Sequence, residues 1–189
     1  MKNKKGFTLI ELLAVIVIMG VLMWGAVTAY GRIMENSKRD VFVTTTAAYV
    51  EAISNYKLAD ALNCGSNSFD SNKKFVFYIA TDTSAVDSSV TDGSAIVTQT
   101  LKLMEKGGKS SWSNADVFGY VAFQKNGEVT QYEVSLNDTS GNGTWASDSS
   151  TVISSPSQVD KNHVKAGATS TTKLMKLTDS NIVECTLAG

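Results

Sequence analysis

The chain has 189 residues, a formal net charge of −1, 43% hydrophobic residues, one proline, one histidine and two cysteines. That length holds one moderate domain beyond an N-terminal segment, and so small a net charge excludes a general nucleic-acid binder. Cys64 and Cys185 lack CxxC or other metal spacing, no phosphate-binding glycine loop or EF-hand pattern occurs, and the sole histidine, His163, reads as a surface residue in a polar run, so no metal, cofactor or catalytic constellation is expected.

The first predicted element follows a basic leader. Lys2, Lys4 and Lys5 precede an apolar run from Phe7 to Ala29, interrupted only by Thr8, Glu11 and Thr28. That is the length of a helix able to span a bilayer. Basic residues are retained on the cytoplasmic side, and the downstream flank Arg32–Asp40 mixes signs, so an N-in, C-out orientation is expected. An ionisable residue inside such a run is costly and marks a functional candidate, here Glu11.

The run Gly6-Phe7-Thr8-Leu9-Ile10-Glu11 resembles the N-terminus of type IV prepilins and of the pseudopilins of secretion and competence systems. The resemblance implies that residues 1–6 are a leader, that a membrane aspartyl prepilin peptidase cuts between Gly6 and Phe7, that Phe7 is then N-methylated, and that Glu11 guides subunits into a filament. It implies an inner- or cytoplasmic-membrane precursor, then an extracellular pilus, with an assembly platform and minor pilins as further partners. Loss of the three leader lysines takes the net charge from −1 to about −4. An amine on Phe7 and the Glu11 carboxylate attract strongly where the dielectric is low, and a well-made pair offsets its desolvation. Two plainer readings compete. Thr8 and Glu11 fit a helix capping box on an ordinary signal anchor, and Val27-Thr28-Ala29 fits the cleavage site of a secretory signal.

Many pilins carry a proline where Thr28 stands; its absence removes any proline kink, leaving Gly25 and Gly31 as candidate flexible points. Helical spacing continues through Tyr30, Ile33/Met34, Val41/Phe42, Thr45, Ala48/Tyr49, Ala52/Ile53, Tyr56 and Ala59, with Arg39, Thr46, Glu51, Asn55 and Lys57 on the opposite face. Asn63-Cys64-Gly65 predicts an end near Leu62. Residues 66–74 read as loop, Phe75–Ile79 as a strand, and Asp82–Asp92 as loop. Residues 94–106 read as a short helix carried by Ile96/Val97, Leu101 and Met104, with Gly107-Gly108 as its stop.

Val117–Phe123 and Val129–Leu136 flank an Asn126-Gly127 turn and predict a hairpin, with Tyr132, Val134 and Leu136 on one face. Asp138–Thr144 reads as a flexible loop, Trp145 and Val152-Ile153 as a possible edge strand, and residues 173–177 with 181–187 as the source of the last strand. Trp112 reads as capping the core or as an exposed contact. The sequons Asn137-Asp138-Thr139 and Asn142-Gly143-Thr144 read as chance.

In an exported chain the two cysteines favour one disulfide, closing a loop of roughly 120 residues; two buried free thiols are the alternative. Paired C-terminal cysteines in pilins add to the first reading. The expectation is an α+β, pilin-like fold: residues 1–6 leader, 7–29 membrane or filament-core helix, and 30–189 a head in which the second half of the helix packs on a C-terminal antiparallel sheet. The expected function is a non-enzymatic pilus subunit, a homo-oligomer serving adhesion, motility or DNA uptake. The alternatives are a pseudopilin of a type II secretion or competence system and a signal-anchored monomeric surface-binding domain.

Overall fold

A computed structural model describes residues 8–65, 72–103, 109–112, 114–126, 129–144, 152–155, 158–167 and 171–188. The leader with Phe7, Met104, the Gly107-Gly108 stop, Gly127 of the hairpin turn and Trp145 lie outside the described residues. The chain divides into two units, Met1–Ser37 and Lys38–Gly189.

Helix α1 runs from Leu9 to Leu58. In the first unit every described residue is exposed, and the helix is long and apolar enough to cross a membrane. In the second unit α1 buries Phe42, Thr46, Tyr49, Val50 and Ile53, an i, i+3/i+4 stripe directed at a core. Thr46, expected on the polar face, is fully buried. Its hydroxyl donates to the Phe42 carbonyl at 2.9 Å, which satisfies it without water. Lys57, also expected on that face, is half-buried, with Nζ 5.5 Å from the Phe123 ring centroid. Burial and then Lys125 lower its pKa.

The helix stops earlier than Leu62. Asp60 adopts a left-handed conformation, φ 54°. The Ala61 N–H donates to the Tyr56 carbonyl at 2.9 Å and the Asp60 N–H to that of Lys57 at 3.2 Å. Together these make a Schellman cap with aspartate in the position usually held by glycine. The following residues, Leu62–Asn63, form β1.

The remaining strands are β2 (Lys74–Ala80), β3 (Val117–Asn126), β4 (Val129–Asp138), β5 (Gly143–Thr144), β6 (Val152–Ile153), β7 (Val164–Lys165), β8 (Ile182–Glu184) and β9 (Thr186–Leu187). Among the described residues the main sheet has the order β7-β5-β4-β3-β2-β8, with β6 also on β4. The hairpin expectation holds: β3 and β4 are antiparallel from Val117↔Asp138 to Asn126↔Val129. The sheet is antiparallel except that β8 joins β2 in parallel. A separate ribbon pairs β1 with β9.

Both faces of the sheet are covered. Towards α1, Phe75, Phe77, Ile79, Val121, Phe123, Tyr132, Val134 and Leu136 meet the helix stripe, so the alternation expected in β4 is present. On the other face Val76, Tyr78, Ala80, Phe118 and Ala122 meet Ala85, Val86, Ile96 and Leu174. Ile96 lies on α2 (Gly93–Leu103), which buries Ile96, Thr100 and Leu103. Leu101 is exposed instead; the true period runs through a threonine. Thr100 accepts from the Ala80 N–H at 3.0 Å and donates to the Ile96 carbonyl at 2.9 Å.

The segment Asp138–Thr144, expected as a flexible loop, is a tight corner. Asp138 is fully buried. Its carboxylate accepts from Ser110 Oγ at 2.6 Å and from the N–H groups of Ser140 and Asn142, each at 2.9 Å. Gly143 then pairs with Asn137. A buried carboxylate persists only when donors surround it, and these donors fix the loop. The polar stretch Asp82–Asp92 likewise contains a 3-10 turn, Thr83–Ala85, capped by the Asp82 side chain.

Candidate assembly site

The first turn of α1 is built from Thr8 and Glu11. The Thr8 N–H and its hydroxyl donate to Glu11 Oε2 at 2.8 and 2.9 Å. The Glu11 N–H lies 3.4 Å from Thr8 Oγ1. This is the reciprocal capping box weighed above, and it places a carboxylate where orphan N–H groups and the helix dipole favour negative charge. Both Thr8 donors reach the same oxygen, Oε2, so among the described residues the box is compatible with a second partner on Oε1. Gly6 and Phe7 lie outside the described residues.

Beyond Glu11 no charged residue occurs until Arg32. The large apolar side chains between are uncovered, with Trp24 76% and Val27 70% exposed. The one hydroxyl on an aliphatic side chain in this stretch, Thr28 Oγ1, donates back to the Gly25 carbonyl at 2.9 Å. Periodicity alone gave no sign of that bond, which satisfies the Thr28 donor within its own helix. A surface this apolar is stable only against lipid or protein of like character.

In the head, Cys64 and Cys185 are joined by a disulfide. Cys64 follows β1 and Cys185 separates β8 from β9, so the bond ties the C-terminal strands to the end of α1. The Cys185 N–H donates to the Val76 carbonyl at 2.8 Å, and the Ala188 N–H to the Ala61 carbonyl at 2.9 Å. Lys38 Nζ donates to the Trp112 carbonyl at 2.9 Å, and the Trp112 ring stands 5.5 Å from that of Phe42. Trp112 therefore caps the core.

Other polar side chains of the head are engaged locally. His163 Nδ1 accepts from the Asp160 N–H at 3.2 Å. Asp87 accepts from the Ser89 N–H and hydroxyl. Asp92 and Glu184 share Lys176 at 2.9 and 2.7 Å. Of the two sequons, Asn137 is buried and the Asn142 amide donates to the Asp138 carboxylate. Among the described residues no group of histidine, cysteine, aspartate and glutamate is arranged to hold a metal ion.

The family described as the prokaryotic N-terminal methylation motif matches residues 1–27. This is the leader signature of type IV pilins and pseudopilins. No curated protein and no solved structure matches the chain. Motif, apolar helix and head together make a pilin-like architecture.

Proposed function

We propose that the chain is a structural subunit of a type IV pilus. It is made as a single-pass membrane precursor with its N-terminus in the cytoplasm and its head outside. A prepilin peptidase cuts between Gly6 and Phe7, Phe7 is N-methylated, and an assembly platform with minor pilins draws the subunit into a helical homopolymer on the cell surface. The observation that carries this reading is the methylation motif over residues 1–27 running directly into a helix whose apolar side chains are uncovered from Leu9 to Met34.

Cohesion and register come from different groups. Between helices in lipid there is no hydrophobic gain, so close packing holds them together and many registers have similar energy. A single ion pair selects among them. The cationic amine of Phe7 on an incoming subunit pairs with Glu11 of a subunit already in place, using the carboxylate oxygen that Thr8 leaves open.

The test is the mature N-terminus, read by intact mass and N-terminal peptide sequencing of protein from native cells. N-methylated Phe7 is the expected start. A start at Tyr30 would identify a secreted soluble domain, and an unprocessed Met1 a signal anchor; either result overturns the proposal. Glu11→Ala is expected to abolish filament incorporation while membrane insertion persists, whereas a monomeric surface binder would keep its activity.

A further inference from the structure

We infer that the bilayer is bounded by two charged side chains, Glu11 and Arg32, so that its hydrocarbon covers Leu12–Gly31 and leaves the assembly carboxylate at the cytoplasmic interface of the precursor. The inference rests on the membrane-spanning reading above and fixes its register. Leu12–Gly31 is a stretch of 20 residues without a charge, and it lies wholly within α1. At 1.5 Å per residue, Glu11 and Arg32 stand about 31 Å apart along the axis, against a hydrocarbon thickness of about 30 Å.

Each end of this window has the chemistry of an interface. At the inner end Thr8 and Glu11 close the capping box, a cluster of charge and orphan N–H groups that belongs beside water and headgroups. At the outer end Tyr30, which is 64% exposed, precedes Arg32 by two residues. An aromatic ring with a polar tip beside a cation is the pairing that settles at headgroup level. Inside the window the Thr28 hydroxyl returns to the Gly25 carbonyl, so that donor is satisfied within its own helix. A register running from Phe7 to Ala29 would instead draw Glu11 into hydrocarbon. Movement of the subunit outward into a filament then requires Glu11 to cross hydrocarbon, and the amine of a neighbouring subunit is the partner that makes this passage tolerable.

The experiment is a thiol-accessibility scan of the full-length precursor in membranes of a host without prepilin peptidase, with single cysteines introduced from Thr8 to Lys38 and a membrane-impermeant maleimide applied to intact cells and to inverted vesicles. The native cysteines are disulfide-bonded and do not compete for reagent. Protection is expected from Leu12 to Gly31, with Thr8–Ile10 labelled only in inverted vesicles and residues beyond Arg32 only in cells. Arg32→Leu is expected to extend the protected window outward by about one helical turn towards Glu35, whereas Arg32→Lys leaves it in place. A window that begins at or before Leu9 and ends by Ala29 overturns the register while leaving the spanning reading intact. An unchanged outer limit in Arg32→Leu removes Arg32 as the bound, and the absence of any protected window removes the spanning reading as well.

Discussion

Reduction of the head is the perturbation with the largest calculable effect. Cys64 and Cys185 are 121 residues apart in sequence. Closing a loop of that length withdraws denatured-chain entropy worth about 5 kcal/mol at 25 °C in the chain-entropy treatment. Whole domains are stable by only about 5–15 kcal/mol, so the reduced head sits near the limit of folding. The contacts nearest the bond cannot compensate. The β1–β9 ribbon has two residue pairs, Leu62↔Leu187 and Asn63↔Thr186, and isolated two-stranded ribbons are marginal in water. The assay is guanidinium unfolding of the detergent-solubilised chain, wild type against Cys64→Ser/Cys185→Ser, followed by the fluorescence of Trp112 against Phe42. With a slope of roughly 2–6 kcal/mol per molar, the midpoint is expected to fall by on the order of 1–2 M. Hydrogen exchange of the variant should show the Ala188 and Thr186 amides losing protection before those of β3 and β4. A midpoint shift equivalent to less than about 1 kcal/mol would refute the reasoning, because loop closure would then not be what the bond contributes.

Three further outcomes follow from single side chains. Thr100→Val leaves the Ala80 N–H buried without its acceptor and is expected to cost about 1–3 kcal/mol in thermal melts read by circular dichroism, while Thr100→Ser restores most of it. Gly119 lies in β3 at φ +149°, and a Cβ there would collide with the Ser135 carbonyl oxygen. Gly119→Ala is therefore expected to destabilise the head by at least about 2 kcal/mol, checked in the same melts. Asp82 and Asp87 accept backbone N–H bonds from Ser84 and Ser89, which hold both carboxyls below the ordinary carboxylate pKa. Because the folded values are depressed, the contribution of these caps is complete above the unfolded carboxylate pKa and is lost as pH falls through the folded values. Carbon-detected NMR titration should find both residues more ionised than unstructured aspartate at the same acidic pH, and Ser84→Pro should move Asp82 back towards the ordinary value.

How far the sequence was readable depended on the range of the interaction that decides each element. The start of α1 was legible because Thr8 and Glu11 make their box three residues apart. The β3–β4 hairpin was legible because alternation and an Asn-Gly junction act locally. The end of α1 was misplaced because Gly65 is the obvious stop, whereas Asp60 takes the left-handed position at a cost that the two Schellman bonds offset. Thr46 and Thr100 were hidden for a shared reason: a threonine that bonds a carbonyl four residues back behaves as a small apolar residue, and only the surroundings show that it has done so. The corner at Asp138 depends on Ser110, 28 residues away, and the parallel docking of β8 depends on β2, more than a hundred residues earlier. No local pattern encodes either. Within the site, Glu11 stood out by its cost, and the cysteines by composition; the closure of the Thr28 hydroxyl onto its own helix had no sequence signal.

The two units obey opposite rules, and the contrast explains what each residue is for. In the head, buried polar groups find partners within the chain: Asp138 with Ser110 and Asn142, Thr100 with Ala80, and Thr144 with both the N–H and the carbonyl of Leu136. In the first unit the large apolar side chains from Leu9 to Met34 are exposed among the described residues, so their energetics are completed by surroundings of like character. At the start of α1 the Glu11 carboxylate is held by the Thr8 N–H and hydroxyl, where orphan N–H groups and the helix dipole favour negative charge, so the one ionisable group of the apolar stretch sits at its end rather than within it.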